Sequence, residues 1–217
     1  MATLEQLSLA IRKSYEWHNG VVYGGGMVMT DQLNGTASAV DKYYKGPDKT
    51  EVLITALLSK AWEEKRHNEE TKGNPNAGTA YVDLLKNFGL TVAENIRAMS
   101  SEPDLKDWHE MAAWAKKQNP QVQVVLLAEK LQNFIVSRDK PNPKKEPAWH
   151  INYYNTRMVM VEALREACPA LYVECVKVAG QGIAAQERKL VAMEQIAQPT
   201  VVVKADNTQT PERSNGR

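Results

Sequence analysis

Apolar residues recur at every third or fourth position along most of the chain. Leu4, Leu7, Ile11, Tyr15 and His18 form one such stripe and predict an amphipathic helix. Asn19-Gly20 ends it, and Gly24-Gly25-Gly26 predicts a loop. A second helix is expected from near Asp31 to Tyr44, with Leu33, Ala37 and Val40 turned inward. Gly46-Pro47-Asp48 predicts a turn, with Asp48 placed to cap the helix that follows. The run Val52 to Leu58 (VLITALL) is almost wholly apolar, which suits a buried strand or a buried helix equally. Its continuation, SKAWEEKRHNEE, carries the segment past strand length and decides for helix, with Trp62 packed in the core.

Residues 71–79 (TKGNPNAGT) read as a loop. Short helices follow over Tyr81 to Phe88, broken at Gly89, and over Val92 to Met99. Pro103-Asp104 opens a helix with Leu105, Trp108, Met111 and Ala112 on one face, and Asn119-Pro120 stops it. A long apolar helix is expected over Gln121 to Ser137, then a polar loop, DKPNPKKEP. Two final helices fit Trp149 to Ala167 and Ala170 to about Ala197, joined at Pro169. The pattern predicts an all-α single domain of about eight or nine helices over residues 1–198, with a polar, disordered tail over 199–217. Neither an internal repeat nor a low-complexity tract interrupts it.

The chain has 217 residues, 43% hydrophobic and 24% charged, enough for one sizeable core of ordinary globular composition. A formal net charge of +1 gives no global field towards nucleic acid or an acidic membrane surface. No apolar run approaches the ~20 residues of a membrane helix, and the amphipathic N-terminus lacks a signal-peptide core. Cys168 and Cys175 are two helical turns apart, ~10 Å, too far for a disulfide. They read as reduced thiols, and the setting as cytoplasmic.

Gly24-Gly25-Gly26 matches no phosphate-binding loop, and no nucleophile elbow is present. His18, His67, His109 and His150 lack the i,i+4 spacing of a metal pair. His18 is expected to be a buried histidine hydrogen-bonded to a neighbouring loop. Three separated blocks carry more information. They are AIRKSYEWHNGVVYGGGMVMTDQL (residues 10–33), EVLITALLSKAWEE (51–64) with YVDLLKNFGLTVAENIRAMSS after it, and PQVQVVLLAEKLQNF (120–134). In order and spacing, together with Phe88-Gly89 and Tyr153, they resemble the hydrolase domain of RelA/SpoT-type proteins, within the HD-domain phosphohydrolases. The resemblance covers roughly residues 5–165 and implies an HD-domain-like helical bundle acting on (p)ppGpp or related nucleotides.

In that family a divalent metal held by a His, a His-Asp pair and a later Asp activates water against a phosphate ester. A Glu-Asp pair beside them positions water and moves protons. Here the first His falls at Thr30, or at Asp31 with a one-residue shift, and the His-Asp pair falls at Ser59 and Lys60. The later Asp falls at Glu129, and the Glu-Asp pair corresponds to Glu63-Glu64. His18, Asn133 and Tyr153 match family positions and are candidate substrate contacts, with Lys60 a fourth. The family's nucleotide-facing basic residues fall near Tyr23 and Gly24, neither of them basic. Serine and threonine hydroxyls are poor ligands, and a charged ammonium has no lone pair and repels a cation. Lys60 is therefore expected to pair with Glu129 and Asp31 in place of the metal.

The reading that follows is a degenerate, non-catalytic HD-type protein, without a cofactor, that binds a nucleotide, an alarmone or a protein partner. One alternative is an active phosphohydrolase with manganese or magnesium in a rebuilt site of Asp31, Glu63, Glu64 and Glu129. Another is a structural protein that self-associates through Leu171, Val173, Val176 and Val178.

Overall fold

The computed structural model of the chain describes residues 2–23, 27–60, 77–100 and 107–197. Helix α1 spans Leu4–His18 and opens with a capping box: the Thr3 hydroxyl accepts from the Gln6 amide at 3.2 Å, and the Gln6 side chain accepts from the Thr3 amide at 2.9 Å. The chain leaves it through Asn19 and Gly20 into a small antiparallel hairpin, β1 (Val22–Tyr23) with β2 (Met27–Val28), in which Val22 faces Val28. With two residues in each strand, this hairpin leaves the all-α class unchanged. It forms because extended backbone after Gly20 returns directly into the next helix, where the Met29 amide donates to the Val21 carbonyl at 2.9 Å.

The remaining described elements are helices: α2 (Met29–Tyr43), α3 (Lys49–Leu58), α4 (Ala77–Phe88), α5 (Leu90–Ser100), α6 (Trp108–Lys116), α7 (Pro120–Asp139), α8 (Pro147–Ala163) and α9 (Pro169–Ala197). At Gly89 a φ of 84° lets the chain reverse between α4 and α5, a conformation that costs glycine little. Asn119-Pro120, read as a stop, is also a start: the Asn119 side chain accepts from the Val122 amide at 3.1 Å, and Pro120 occupies the first helical turn. Asp48 stands at the cap position of α3 but makes no capping bond. Its carboxylate accepts instead from the Tyr44 hydroxyl and from the Gln121 side-chain amide, each at 2.6 Å. Residues 77–79, read as loop, belong to α4. The Glu63-Glu64 pair, Trp62, His67, the triple glycine, the Pro103-Asp104 helix start and the tail over 199–217 lie outside the described residues.

Helix α7 is the axis of the bundle. Every residue from Val124 to Leu131 is buried, so no face of that stretch meets water. Helices α2, α3, α8 and α9 pack around it, while α1 lies on α3 and α6 on α8. Phe134, Tyr154, Leu126, Leu127 and Met160 fill the centre, with Phe134 and Tyr154 ring centroids 5.4 Å apart. Cys168 and Cys175 are free and buried, and burial pushes the Cys175 thiol up to about 12. On α9 the residues read as one associating face divide: Leu171 and Val178 enter the core, while Val173 and Val176 stay exposed. Helical periodicity explains the split, since 171, 175 and 178 share one stripe that 173 and 176 leave. Among the described residues no helix is long and apolar enough to cross a membrane.

Candidate functional site

The three blocks meet around the middle of α7. Thr30, in the first turn of α2, is buried, and Ser59, just past the last turn of α3, is buried too. The Ser59 hydroxyl donates to the Ala56 carbonyl at 3.2 Å. Lys60 follows, half-buried. Helix α7 contributes Glu129, Lys130 and, one turn on, Asn133. Asp31 is exposed at the start of α2.

Glu129 and Lys130 are 6% and 5% exposed, and the ammonium lies 3.5 Å from the carboxylate. Burial alone would push the Glu129 carboxyl up. Lys130, Lys60 and the Asn133 amide act against it and hold the carboxyl below its ordinary value, so it stays charged. Asn133 is itself oriented, because its Oδ1 accepts from Gln32 Nε2 on α2 at 2.8 Å. One Glu129 oxygen, Oε2, and Gln32 Oε1 are buried with no hydrogen-bond partner among the described residues. Sequence reasoning singled out Glu129, Lys60 and Asn133 but missed Lys130 and Gln32. A lysine inside the apolar run VVLLAEKL was the available signal for the first; nothing in the sequence marked the second.

His18 ends α1 with no solvent exposure, as expected of a buried histidine, while the hydrogen bond expected for it is not found among the described residues. Neither ring nitrogen has a partner among the described residues, and burial lowers its pKa to about 4, so the ring is neutral. Ser14, one turn back, is 1% exposed, and its hydroxyl also has no partner among the described residues.

Tyr153 belongs to a second feature, on α8. Trp149, Asn152, Tyr153, Thr156 and Arg157 follow an i, i+3, i+4, i+7, i+8 stripe and, with Trp108 at the start of α6, line a cleft of ≈ 370 Å³. The Arg157 guanidinium lies 3.6 Å from the Tyr153 ring centroid and 4.6 Å from that of Trp108. Lys130 reaches the same Trp108 ring at 5.9 Å, so the ion pair and the cleft share a wall.

The described donors do not suit the divalent metal that the family resemblance implies. They comprise Glu129, already paired with an ammonium, the exposed Asp31, two hydroxyls and a second ammonium. Among the described residues no three His, Cys, Asp or Glu side chains are gathered as such an ion needs.

No family model matches the chain, and no curated protein matches its sequence. A solved structure does, that of a protein described as "a metazoan ortholog of SpoT" that "hydrolyzes ppGpp and plays a role in starvation responses". The superposition has a TM-score of 0.65 at 14% identity and covers 83% of this chain and 97% of that one. At that identity the likeness carries the architecture alone: the chain has the HD-domain-like helical bundle of that structure.

Proposed function

We propose that this protein uses the HD-type fold to bind a phosphorylated nucleotide without hydrolysing it, an internal ion cluster replacing the metal. The observation that carries the reading is Glu129. It is the one buried carboxylate among the described family metal positions, Asp31 being exposed, and Lys130 and Lys60 act on it with opposite charge. Two ammonium groups there repel a divalent ion at close range, while the positive balance suits phosphate.

A hydrolytic reading has one observation in its favour: Glu129 Oε2 makes no hydrogen bond among the described residues and could face a cation. It needs Glu63, Glu64 and Asp31 to complete an oxygen-rich site. The deciding assay is release of phosphate and pyrophosphate from ppGpp and from nucleoside triphosphates, with manganese, magnesium or a chelator. The proposal expects no turnover above the protein-free rate. Metal-dependent turnover abolished by Glu63→Gln would establish the hydrolytic reading instead.

A further inference from the structure

The outer face of α9 is exposed over most of its length. Val173, Lys177, Gly180, Ala184, Glu187 and Val191 recur every three or four positions and lie within about 40° of one line along the helix. That line runs opposite the stripe of Leu171, Cys175, Val178 and Gly182 that enters the core. Val173 and Val191, at its two ends, are 62% and 52% exposed, and Val176 beside it is exposed as well. Both glycines lie inside the helix, where glycine costs stability relative to alanine. For Gly182 the bundle gives the reason, since an added Cβ would meet the Tyr154 ring. At Gly180 an added Cβ would meet nothing within 4 Å, so the chain's own packing does not call for glycine there. Another backbone approaching at that point would.

The pattern is also self-complementary. Val173 and Val191 stand nine positions either side of Gly182, Lys177 and Glu187 five, and Gly180 and Ala184 two. A second copy laid antiparallel, with the twofold axis level with Gly182, therefore sets Val173 on the partner's Val191, Gly180 on the partner's Ala184 and Lys177 opposite the partner's Glu187, each contact made twice. The same operation lays the stem of the partner's Arg188 over Val176. A parallel arrangement would instead set Lys177 against the partner's Lys177, and Glu187 against the partner's Glu187. Lys177 already meets Glu174 at 3.1 Å, but as an exposed pair one turn apart, and an ammonium has three donors.

We infer that the outer face of α9 is the interface of an antiparallel homodimer, closed by Gly180 on the partner's Ala184 and by two Lys177–Glu187 pairs between the copies. The occupant is a second copy because the face matches its own reverse in both charge and apolar position. The seam from Val173 to Val191 is about 27 Å long. One helix width of that length falls short of the roughly 800 Å² per partner of stable complexes, so the dimer is weak, with a dissociation constant on the order of 10–100 µM. The pairing uses no residue of the ion cluster.

The test is sedimentation equilibrium of the full chain from about 1 µM to about 1 mM, across which the mass should rise from one chain towards two. Lys177→Glu and Glu187→Lys should each weaken association by about tenfold or more. An equimolar mixture of the two should recover it, because each variant supplies the charge the other lacks, and the double variant Lys177→Glu with Glu187→Lys should self-associate within about threefold of wild type. Gly180→Gln should leave the chain monomeric while its urea midpoint is unchanged or raised, which separates a lost interface from a lost fold. Val82→Ser, exposed on α4, should leave the mass unaltered. A single-chain mass throughout would overturn the inference and leave the face to residues 198–217 or to another protein. Equal association in wild type and both single variants would place the contact elsewhere and overturn it too. A mixture no more associated than either variant alone would contradict the antiparallel register.

Discussion

Consecutive residues on a helix point about 100° apart, yet Glu129 and Lys130 are both buried, because α7 is enclosed on every side where they emerge. Each ion then depends on the other. Removing one partner of a buried pair leaves a desolvated charge, which typically costs about 3–5 kcal/mol. Lys130→Met should lose stability on that scale, tempered by Lys60, and the double change Lys130→Met with Glu129→Gln should cost less than the sum of the two; urea unfolding of all three variants checks it. His18 makes a different prediction. Its folded pKa of about 4 lies below the ordinary 6.5, so the unfolded chain binds the proton more readily between those values. Stability should be greatest above pH 6.5, fall by up to about 3 kcal/mol as pH drops to about 4, and level off below. In His18→Leu that component of the slope should vanish. The carboxylate was legible because its spacing within LAEKLQN survives. Its partner Lys130 was not, since one sequence cannot tell a lysine on a solvated face from one in an enclosed helix.

At the scale of elements, polar side chains clasp the bundle away from the site. The Tyr44 hydroxyl donates to Asp48, which also accepts from Gln121; Gln121 accepts from Asn95 at 2.6 Å, and Asn95 accepts from Asn119 at 2.8 Å. These bonds tie the turn before α3 to α5 and to the start of α7. Asn95 is buried at their centre, so Asn95→Ala should cost about 1–3 kcal/mol by leaving its partners unsatisfied, measurable as a lower urea midpoint at unchanged slope. On the other side, α9 approaches α8 at Gly182, where an added Cβ would lie 2.3 Å from the buried Tyr154 ring. The ring has no room to retreat, and Gly182→Ala should destabilise by about 1–3 kcal/mol in the same assay. Helix existence was legible throughout because apolar periodicity survives local detail. Cap roles were not: Asp48 has the right residue type at the right place, but the nearby Tyr44 and Gln121 engage its carboxylate more strongly than the helix end does.

At the scale of the molecule, one long apolar helix is the axis for the eight other helices among the described residues; the ion pair lies on it and the cleft beside it. The order of the three blocks predicted that architecture, because they carry the helices that must meet. The cleft was less visible. Its α8 stripe, from Trp149 to Arg157, has ordinary amphipathic spacing, and only the packing of α6 against α8 brings Trp108 opposite. The central claim is that an ion pair stands where a hydrolytic relative would hold its metal. Manganese titration followed by electron paramagnetic resonance at neutral pH tests it most directly. The account predicts that the free manganese signal persists unreduced at equimolar protein; one bound manganese per chain, lost in Glu129→Gln, would contradict it.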